Sequence, residues 1–286
     1  MGKTYQEALK KAERDARLAK KEASAVKNLM LHFSRLEPTD LYLKFNEEMN
    51  PEALKDFEEA VKKYTLDNIP VQYLIGYVYF YGYKFSVDNH VLIPRFETEE
   101  LVANILMQYD DQFTGKSIKL VDIGTGSGCL AIALKLEEPS FDVTATDISV
   151  EALEVAKKNA KNLKADITFI AGDMLEPLKG LKFDALISNP PYIPSEETVD
   201  EIIHQNEPHE ALYGGSDGLR FYEIILSKAK EILERKSFIA FEHGFDKAEE
   251  IRALAKKYFP DSVVYTLKDM QGKDRMTFVV NNEISE

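Results

Sequence analysis

Residues 120–131 read Leu-Val-Asp-Ile-Gly-Thr-Gly-Ser-Gly-Cys-Leu-Ala, and this stretch decides the fold. An apolar run of strand type enters a loop with glycine at every second position, and an apolar run of helix type follows. Such a loop lets a ligand approach bare backbone at the start of a helix. A dinucleotide fingerprint needs glycine where Cys129 stands, so the spacing argues against NAD.

Short β-rich runs alternate with helical stretches around this loop. Strands are expected at residues 118–123, 143–146, 167–171, 183–188 and 238–241. Alternating β and α elements indicate a parallel sheet with helices on both faces. Two later runs, at 263–267 and 276–280, are too close for a crossover, so they must pair antiparallel. The sequence therefore predicts an α/β, Rossmann-like fold whose mostly parallel sheet ends in a C-terminal antiparallel hairpin.

The N-terminal part of the chain has a helical pattern instead. Small apolar residues recur at helical spacing from Leu9 to Phe33, which predicts one long amphipathic helix. A second helix is expected to be capped by Thr39 or Asp40, and a third to follow Asn50. An alternating aromatic run after Pro70 predicts a β-hairpin. We expect three parts: a helical bundle at 1–68, a β-hairpin linker at 69–94 and a catalytic domain at 95–286.

Composition limits the classes of function. The 286 residues carry 36 Lys and Arg against 49 Asp and Glu, a net charge of −13, which disfavours non-specific binding to nucleic-acid phosphates. The single cysteine rules out an internal disulfide framework and favours the reducing cytoplasm. Neither a secretory signal nor an apolar run of membrane-spanning length is present, so no membrane association is expected.

Acidic side chains end the next two predicted strands. Asp147 is placed to accept hydrogen bonds from both hydroxyls of a ribose. Asp173 could accept from an adenine amino group, and Met174 could cover the ring. A loop without the Lys-Ser/Thr of a P-loop suits a sulfonium ligand, S-adenosylmethionine, with S-adenosylhomocysteine as product. The alternative is a tight turn with Asp147 as a helix cap. The cofactor-binding residues are predicted to be Gly124, Thr125, Gly126, Ser127, Gly128, Asp147, Asp173, Met174 and Asn189.

A rigid turn follows the fourth predicted strand. Residues 189–192 read Asn-Pro-Pro-Tyr. The two successive prolines lack backbone N–H donors, and each ring fixes the φ angle of its residue. The side-chain oxygen of Asn189 and the carbonyl of Pro190 can point at one planar NH2 group, while Tyr192 offers a flat face. The alternative for the turn alone is a rigid β-turn. The substrate-binding residues are predicted to be Asn189, Pro190, Pro191 and Tyr192, and no metal site is predicted.

This sequence resembles the amino-methyltransferases that hold a nitrogen nucleophile in such a turn, and more closely the HemK/PrmC family of protein-(glutamine-N5) methyltransferases. Residues 70–76 (PVQYLIG) are similar to the family's P-x-Q-Y-L-x-G. Residues 92–99 (LIPRFETE) are similar to its I-P-R-P-E-T-E, with Phe96 in place of a proline. The resemblance covers nearly the whole chain, and further matches lie at residues 207–219, 242–244 and 274–275.

The resemblance implies a class I S-adenosylmethionine-dependent methyltransferase. Its expected substrate is the Gly-Gly-Gln glutamine of class I peptide chain release factors, methylated on the side-chain amide nitrogen. Asn189, Pro190 and Tyr192 are the expected catalytic residues, and the bundle at 1–68 is the expected docking surface. Either a functional role or contacts that shape the pocket remain open for Glu207, Glu242, His243 and Arg275.

Two other functions fit parts of this pattern. The first is an adenine-N6 or cytosine-N4 methyltransferase, whose flipped base would offer the turn the same NH2 geometry. Such an enzyme needs a basic groove for the nucleic acid, and the net charge of −13 counts against it. An adaptor that senses S-adenosylmethionine would not need Asn189 and Tyr192 beside the cofactor loop. Stable binding of nucleic acid is therefore not expected.

Overall fold

A computed structural model describes residues 2–282 in two compact units. Residues 2–77 form one unit together with Val199–Asn206, and Val78–Thr198 with the residues from Glu207 onward form the other. The first unit is called the bundle below and the second the catalytic unit. The division falls after Tyr77, whereas the sequence predicts the end of the bundle at residue 68. Among the helices of residues 2–282, none combines the length and apolar character that crossing a bilayer requires.

The bundle is helical, as predicted. Its helices are α1 (Tyr5–Leu18), α2 (Ala25–Ser34), α3 (Pro38–Leu43), α4 (Pro51–Leu66) and α5 (Val71–Ile75). Thr4 and Glu7 form a capping box at the start of α1, and the side chain of Asn50 accepts from two backbone amides at the start of α4. Leu29, Met30 and Phe57 are among the residues that fill its core.

Two predictions for the bundle are wrong. The long helix expected from Leu9 to Phe33 is two helices, because Lys20 adopts a left-handed backbone (φ 57°) and the chain turns between α1 and α2. The hydroxyl of Tyr64 on α4 donates to the carbonyl of Glu22 at 3.1 Å and holds this turn. Helix α3 begins after Glu37 with a proline at its first position, so neither Thr39 nor Asp40 caps it.

The catalytic unit confirms the predicted sheet. Its strands are the hairpin β1 (Tyr77–Phe80) and β2 (Tyr83–Ser86), then β3 (Lys119–Ile123), β4 (Asp142–Asp147), β5 (Thr168–Ala171), β6 (Phe183–Ser188), β7 (Leu233–Glu242), β8 (Val263–Lys268) and β9 (Asp274–Asn281). The main sheet has the order β5-β4-β3-β6-β7-β9-β8. Strands β3 to β7 pair in parallel, and β9 pairs antiparallel with both β7 and β8.

Helices cover both faces of this sheet. They are α6 (Phe96–Phe113), α7 (Cys129–Glu137), α8 (Val150–Leu163), α10 (Arg220–Lys228) and α11 (Ala248–Tyr258), while α9 (Glu201–Asn206) belongs to the bundle. Along β3, Leu120 joins the core beneath α6 and α7, and Val121 joins the core beneath α10 and α11. This alternation is the two-residue period of a strand that is buried on both faces.

The strand order reverses between β3 and β6, which are neighbours in the sheet although β4 and β5 lie between them in the chain. In open α/β sheets, ligands bind beyond the carboxyl ends of the strands at such a reversal. The glycine loop follows β3 and the Asn-Pro-Pro-Tyr turn follows β6, so the fold brings both sequence motifs to this point.

Candidate active site

The glycine loop exposes its backbone to open space. Gly124 and Gly126 have positive φ angles of 74° and 54°, and a Cβ built on either would meet no atom within 4 Å. Behind them, the amides of Gly124 and Thr125 donate to the carbonyl of Thr146 on β4, both at 2.9 Å. The loop is thus anchored to the sheet on one side and accessible on the other. Such an open glycine cradle fits a ligand that contacts the main chain.

Gly128 has a different role from the other two glycines. Its φ is 80°, and a Cβ there would lie 2.9 Å from Cδ1 of Ile132 and 3.1 Å from Cβ of Ala156. Only glycine therefore permits the close packing of α7 on α8 at this point. Ser127 beside it is buried, and its carbonyl accepts a hydrogen bond from Asn159 at 2.9 Å.

Asp147 supports the glycine loop through its side chain. Its carboxylate accepts from the amide of Gly126 at 2.8 Å and from the amide of Ser149 at 2.9 Å, one bond on each oxygen. Each carboxylate oxygen can accept a second hydrogen bond, so two acceptor positions remain for ribose hydroxyls. Burial raises the pKa of Asp147, while the backbone hydrogen bonds from Ser149 and Gly126 oppose that rise.

The third strand end lies next to Asp147. The amide of Gly172 donates to the carbonyl of Asp147 at 2.9 Å, which brings the end of β5 beside the end of β4. Asp173 is exposed, and Met174 is half-buried with a left-handed backbone (φ 48°). Both side chains therefore follow the strand at the same edge of the sheet as the glycine loop.

The structure adds Asp122, a residue that sequence reasoning missed. It lies on β3 and is 1% exposed; its Oδ2 accepts from the hydroxyl of Thr125 at 2.7 Å, and its Oδ1 has no hydrogen-bond partner among residues 2–282. Burial raises the pKa of Asp122 to about 7. A buried carboxylate with an unpaired oxygen beside the loop fits a cofactor that carries positive charge, as S-adenosylmethionine does.

The Asn-Pro-Pro-Tyr turn lies beside the glycine loop. The hydroxyl of Ser188, the last residue of β6, donates to the carbonyl of Ile123 at 2.6 Å, so the ends of β6 and β3 are tied together just before the two motifs. Pro190 is buried and Asn189 is half-buried. The side-chain nitrogen of Asn189 lies 3.3 Å from the hydroxyl oxygen of Thr98 near the start of α6.

A second loop, residues 212–218, supports the turn from behind. The amide of Ile193 donates to the carbonyl of Leu212 at 3.0 Å, and the amide of Gly214 donates back to the carbonyl of Ile193 at 2.9 Å. A Cβ at Gly218 would lie 2.2 Å from the carbonyl oxygen of Tyr192. The glycines in this loop therefore allow two backbones to approach each other closely.

Tyr192 is a neutral phenol in this environment. Burial and, to a smaller extent, the charge of Glu242 raise its pKa to about 12, although Arg275 and Arg95 oppose the rise. A tyrosine with such a pKa does not act as a base near neutral pH. Its ring is available as an apolar and electron-rich surface instead.

Glu242 ends β7 below Asn189 and is 1% exposed. Burial raises its pKa to about 7, and hydrogen bonds from Thr98 and Asn189 are among the interactions that limit the rise. Its Oε2 has no hydrogen-bond partner among the described residues. The sequence does not reveal the contact of Glu242 with Thr98 and Asn189. These residues lie on β7, on α6 and directly after β6, elements that meet only in the folded chain.

Glu207 and His243, two motif residues whose role the sequence leaves open, form contacts within the catalytic unit. Glu207 accepts from Arg95 at 2.5 Å and from the amide of Ile93 at 3.3 Å. His243 is fully buried; its two ring nitrogens lie 2.9 Å from the carbonyl of Gly244 and 2.8 Å from the hydroxyl of Thr277. Burial lowers the pKa of His243, so a neutral ring donates to the carbonyl and accepts from the hydroxyl.

Two domain models match this chain, and its fold is similar to that of a solved methyltransferase. A model of the methyltransferase small domain matches residues 99–212, and a model of the PrmC N-terminal domain matches residues 7–76. The fold is similar to that of the T. thermophilus 16S rRNA N2 G1207 methyltransferase, solved with AdoMet and guanosine, with a TM-score of 0.51. Sequence identity is 11%, over 72% of this chain and 50% of that one. The protein is a class I S-adenosylmethionine-dependent methyltransferase.

The relatives define the family more narrowly. The chain is 40% identical to the release factor glutamine methyltransferase of Bacillus cereus over 276 residues, which cover 95% of this chain and 97% of that one. It is 42% identical to the enzyme of the same name from Bacillus subtilis, over 96% of each chain. The protein belongs to the family of release factor glutamine methyltransferases, and the predicted family resemblance is confirmed.

Proposed function

We propose that this protein transfers the methyl group of S-adenosylmethionine to the side-chain amide nitrogen, N5, of the glutamine in the Gly-Gly-Gln motif of class I release factors. The observation that carries this conclusion is the identity of 40% to 42% with release factor glutamine methyltransferases over almost the full length of each chain. The open glycine loop and the Asn-Pro-Pro-Tyr turn at neighbouring strand ends support it.

The cofactor is assigned to the loop after β3. The backbone of Gly124 and Gly126 faces open space, Asp147 keeps acceptor positions for ribose hydroxyls, and Asp122 supplies negative charge. Asp173 and Met174 are assigned to the adenine. When bound, S-adenosylmethionine supplies an electrophilic methyl carbon next to a positively charged sulfur.

The chemical task of the turn is to activate a poor nucleophile. An amide nitrogen donates its electron pair into the carbonyl group, so the enzyme must hold it about 3–3.5 Å from the carbon that it attacks. In this proposal Oδ1 of Asn189 and the carbonyl of Pro190 accept the two amide hydrogens. They stabilise the positive charge that develops on nitrogen as the C–N bond forms and the C–S bond breaks. One amide proton is lost late, after the methyl group has transferred, either to one of these acceptors or to water.

Tyr192 and the prolines complete the proposed substrate site. The neutral ring of Tyr192 can stack on the planar amide and stabilise the developing cation. Pro190 and Pro191 fix the backbone, so the acceptor carbonyl is already oriented when the substrate arrives. Water is excluded by the same side chains, which strengthens each of these interactions.

The bundle is proposed as the docking surface for the release factor. A groove of about 620 Å³ runs between α1 and α4, with Ala12 and Val61 in its wall and the exposed side chains of Leu18 and Leu66 at one end. The charged residues that line it are Lys3, Lys11 and Lys62 with Asp15 and Glu58, and Lys3 pairs with Glu58 while Lys11 pairs with Asp15. Such a groove suits the apolar face of an amphipathic segment of the release factor.

We also propose that the enzyme works in the cytoplasm and that nucleic acid is not its substrate. Release factors act with ribosomes, so the enzyme is placed in the cytoplasm. The net charge of −13 opposes the phosphate contacts on which stable nucleic-acid binding depends.

The direct test uses S-adenosylmethionine with a radiolabelled methyl group and a purified class I release factor. We expect label to enter the wild-type release factor and not a variant in which the Gly-Gly-Gln glutamine is replaced by alanine. Equal labelling of the two would show that another group is the acceptor. A parallel reaction with duplex DNA or RNA in place of the release factor tests the nucleic-acid alternative, and label there would support it.

A further inference from the structure

The side-chain amide of Asn189 has to face the substrate with its oxygen, and its orientation depends on what lies behind it. An asparagine amide has two donor hydrogens on nitrogen and acceptor positions only on oxygen. Nδ2 lies 3.3 Å from the hydroxyl oxygen of Thr98, which is itself buried. One donor hydrogen of Asn189 is thus directed at a buried hydroxyl group.

Thr98 and Glu242 form one network with Asn189. Side-chain hydrogen bonding by Thr98 and Asn189 is among the interactions that hold down the pKa of the Glu242 carboxyl, which places both side chains next to it. An ionised carboxylate only accepts hydrogen bonds, so it accepts from Nδ2 of Asn189 and from the hydroxyl of Thr98. The oxygen of Thr98 remains free to accept from Asn189. With both donor hydrogens satisfied in this way, Oδ1 is left on the opposite side of the amide.

We propose that Glu242 is the positioning residue that fixes the orientation of Asn189, so that Oδ1 accepts a hydrogen from the substrate amide. The inference rests on the proposed function for the identity of that substrate. A negative charge behind Nδ2 also polarises the amide and makes Oδ1 a stronger acceptor. The carboxylate is 1% exposed and its Oε2 has no partner among residues 2–282, a burial that stability alone does not favour.

The protonation of Glu242 provides a signature that a purely structural residue would lack. A protonated Glu242 can donate to Oδ1, which would rotate the Asn189 amide into the unproductive orientation. Burial places the pKa of Glu242 at about 7. The titratable, charged and polar groups around Glu242 are Glu97 and Thr98 of α6, Cys129 of α7, Asn189 and Tyr192 of the turn, Arg275 of β9 and Tyr222 of α10. The hydroxyl of Tyr222 donates to the backbone carbonyl of Glu242 at 2.8 Å. Activity should therefore decrease as the pH falls through about 7.

The test compares Glu242→Gln with wild type in the full-length protein, with Glu234→Gln on the exposed part of the same strand as control. We expect Glu242→Gln to lower kcat by on the order of tenfold or more at pH 8. KM for the release factor and Kd for S-adenosylmethionine should change by less than about twofold, because in this proposal Glu242 acts only through the orientation of Asn189. The decrease of kcat below about pH 7 should be present in wild type and in Glu234→Gln and absent from Glu242→Gln. Unchanged kcat, or the same pH profile in Glu242→Gln, would overturn the proposal.

Two further measurements keep the proposal testable if that variant does not fold or if the release factor is not the substrate. Thr98→Val should lower kcat and Thr98→Ser should restore it, and equal rates in these two variants would contradict the network. In 15N-labelled protein without substrate, the side-chain NH2 signals of Asn189 should shift with pH in wild type only. If they do not titrate, Glu242 does not position Asn189. If they titrate while wild type fails to label the release factor, the proposed substrate is wrong and the positioning role stands.

Discussion

Asp147 and Asn189 are both polar residues at strand ends, but they should affect different steps. Asp147→Ala removes hydrogen bonds to the ribose and the support for Gly126, so we expect Kd for S-adenosylmethionine to rise about 10- to 100-fold. Asn189→Ala should abolish methyl transfer and leave that Kd nearly unchanged. Isothermal titration calorimetry with the cofactor measures both constants. Equal loss of cofactor binding in the two variants would refute this separation of roles.

Asp122 gives a prediction about stability and pH. Its pKa rises from 3.8 to about 7 on folding, so the unfolded chain releases this proton first as the pH increases. The contribution of Asp122 to the free energy of unfolding is therefore present at low pH and lost as the pH rises through about 7. Between pH 5 and pH 8, the free energy of unfolding of Asp122→Asn should increase by about 2–3 kcal/mol relative to that of wild type. Chemical denaturation without cofactor at the two pH values measures the difference, and an unchanged difference would contradict the prediction.

Individual residues were predictable from the sequence where a motif marks them. Asp147 and Asn189 follow apolar strands and precede turns, so their position at the ligand edge of a parallel sheet follows from chain order. Thr98 and Glu242 belong to motifs too, but their contact with Asn189 does not follow from spacing. It depends on the start of α6 packing across the end of β7, which only the tertiary structure shows.

At the scale of elements, the loop at residues 212–218 determines where the turn lies. Gly218→Ala places a methyl group 2.2 Å from the carbonyl oxygen of Tyr192, so the turn must move. Since small displacements of reacting groups lower rates strongly, we expect kcat to fall about 100-fold. Gly215→Ala is the matched control: its φ is also positive, at 91°, but its Cβ would lie 3.2 Å from the side chain of Arg220.

Measuring stability, kcat and Kd for S-adenosylmethionine in both variants distinguishes displacement of the turn from general destabilisation. Both alanine variants carry the strain of a left-handed backbone, which costs roughly 1–2 kcal/mol, and Gly218→Ala adds the clash with the carbonyl oxygen of Tyr192. Only Gly218→Ala should lose methyl transfer strongly while its Kd for S-adenosylmethionine stays near that of wild type. Similar kcat values for the two variants would mean that the loop does not position the turn.

The strands were easier to predict than the helices of the bundle. Each predicted strand of the main sheet is a short apolar run, and the observed strands begin and end within two residues of those runs, except that β7 begins at Leu233 and not at Phe238. The break between α1 and α2 was missed because the apolar spacing continues through it. Helical periodicity reports which residues are buried, and residues on both sides of the turn remain buried after the chain reverses.

At the scale of the whole molecule, the chain enters the bundle twice. Helix α9 belongs to it although residues 78–198 of the catalytic unit precede α9 in the sequence. Within the bundle, Nδ2 of Asn206 donates to the carbonyl of Asn68 at 2.7 Å, and Asn68 donates to the side chain of Gln205 at 2.9 Å. Composition and periodicity do not reveal such a discontinuous unit. A variant that truncates the chain after the bundle would therefore lack part of its structure.

Point substitutions are the better test of the bundle as a docking surface. Leu18 and Leu66 at the end of the α1–α4 groove are 77% and 75% exposed, so replacing both with serine should leave the fold intact. Burying a leucine in an interface contributes about 1.5–3 kcal/mol, and we expect KM for the release factor to rise at least about tenfold with kcat unchanged. Leu43→Ser is the control, since Leu43 is 80% exposed on α3 and does not line the groove. If the double variant and the control have the same KM, the release factor docks elsewhere, because the lost apolar surface would then have no partner.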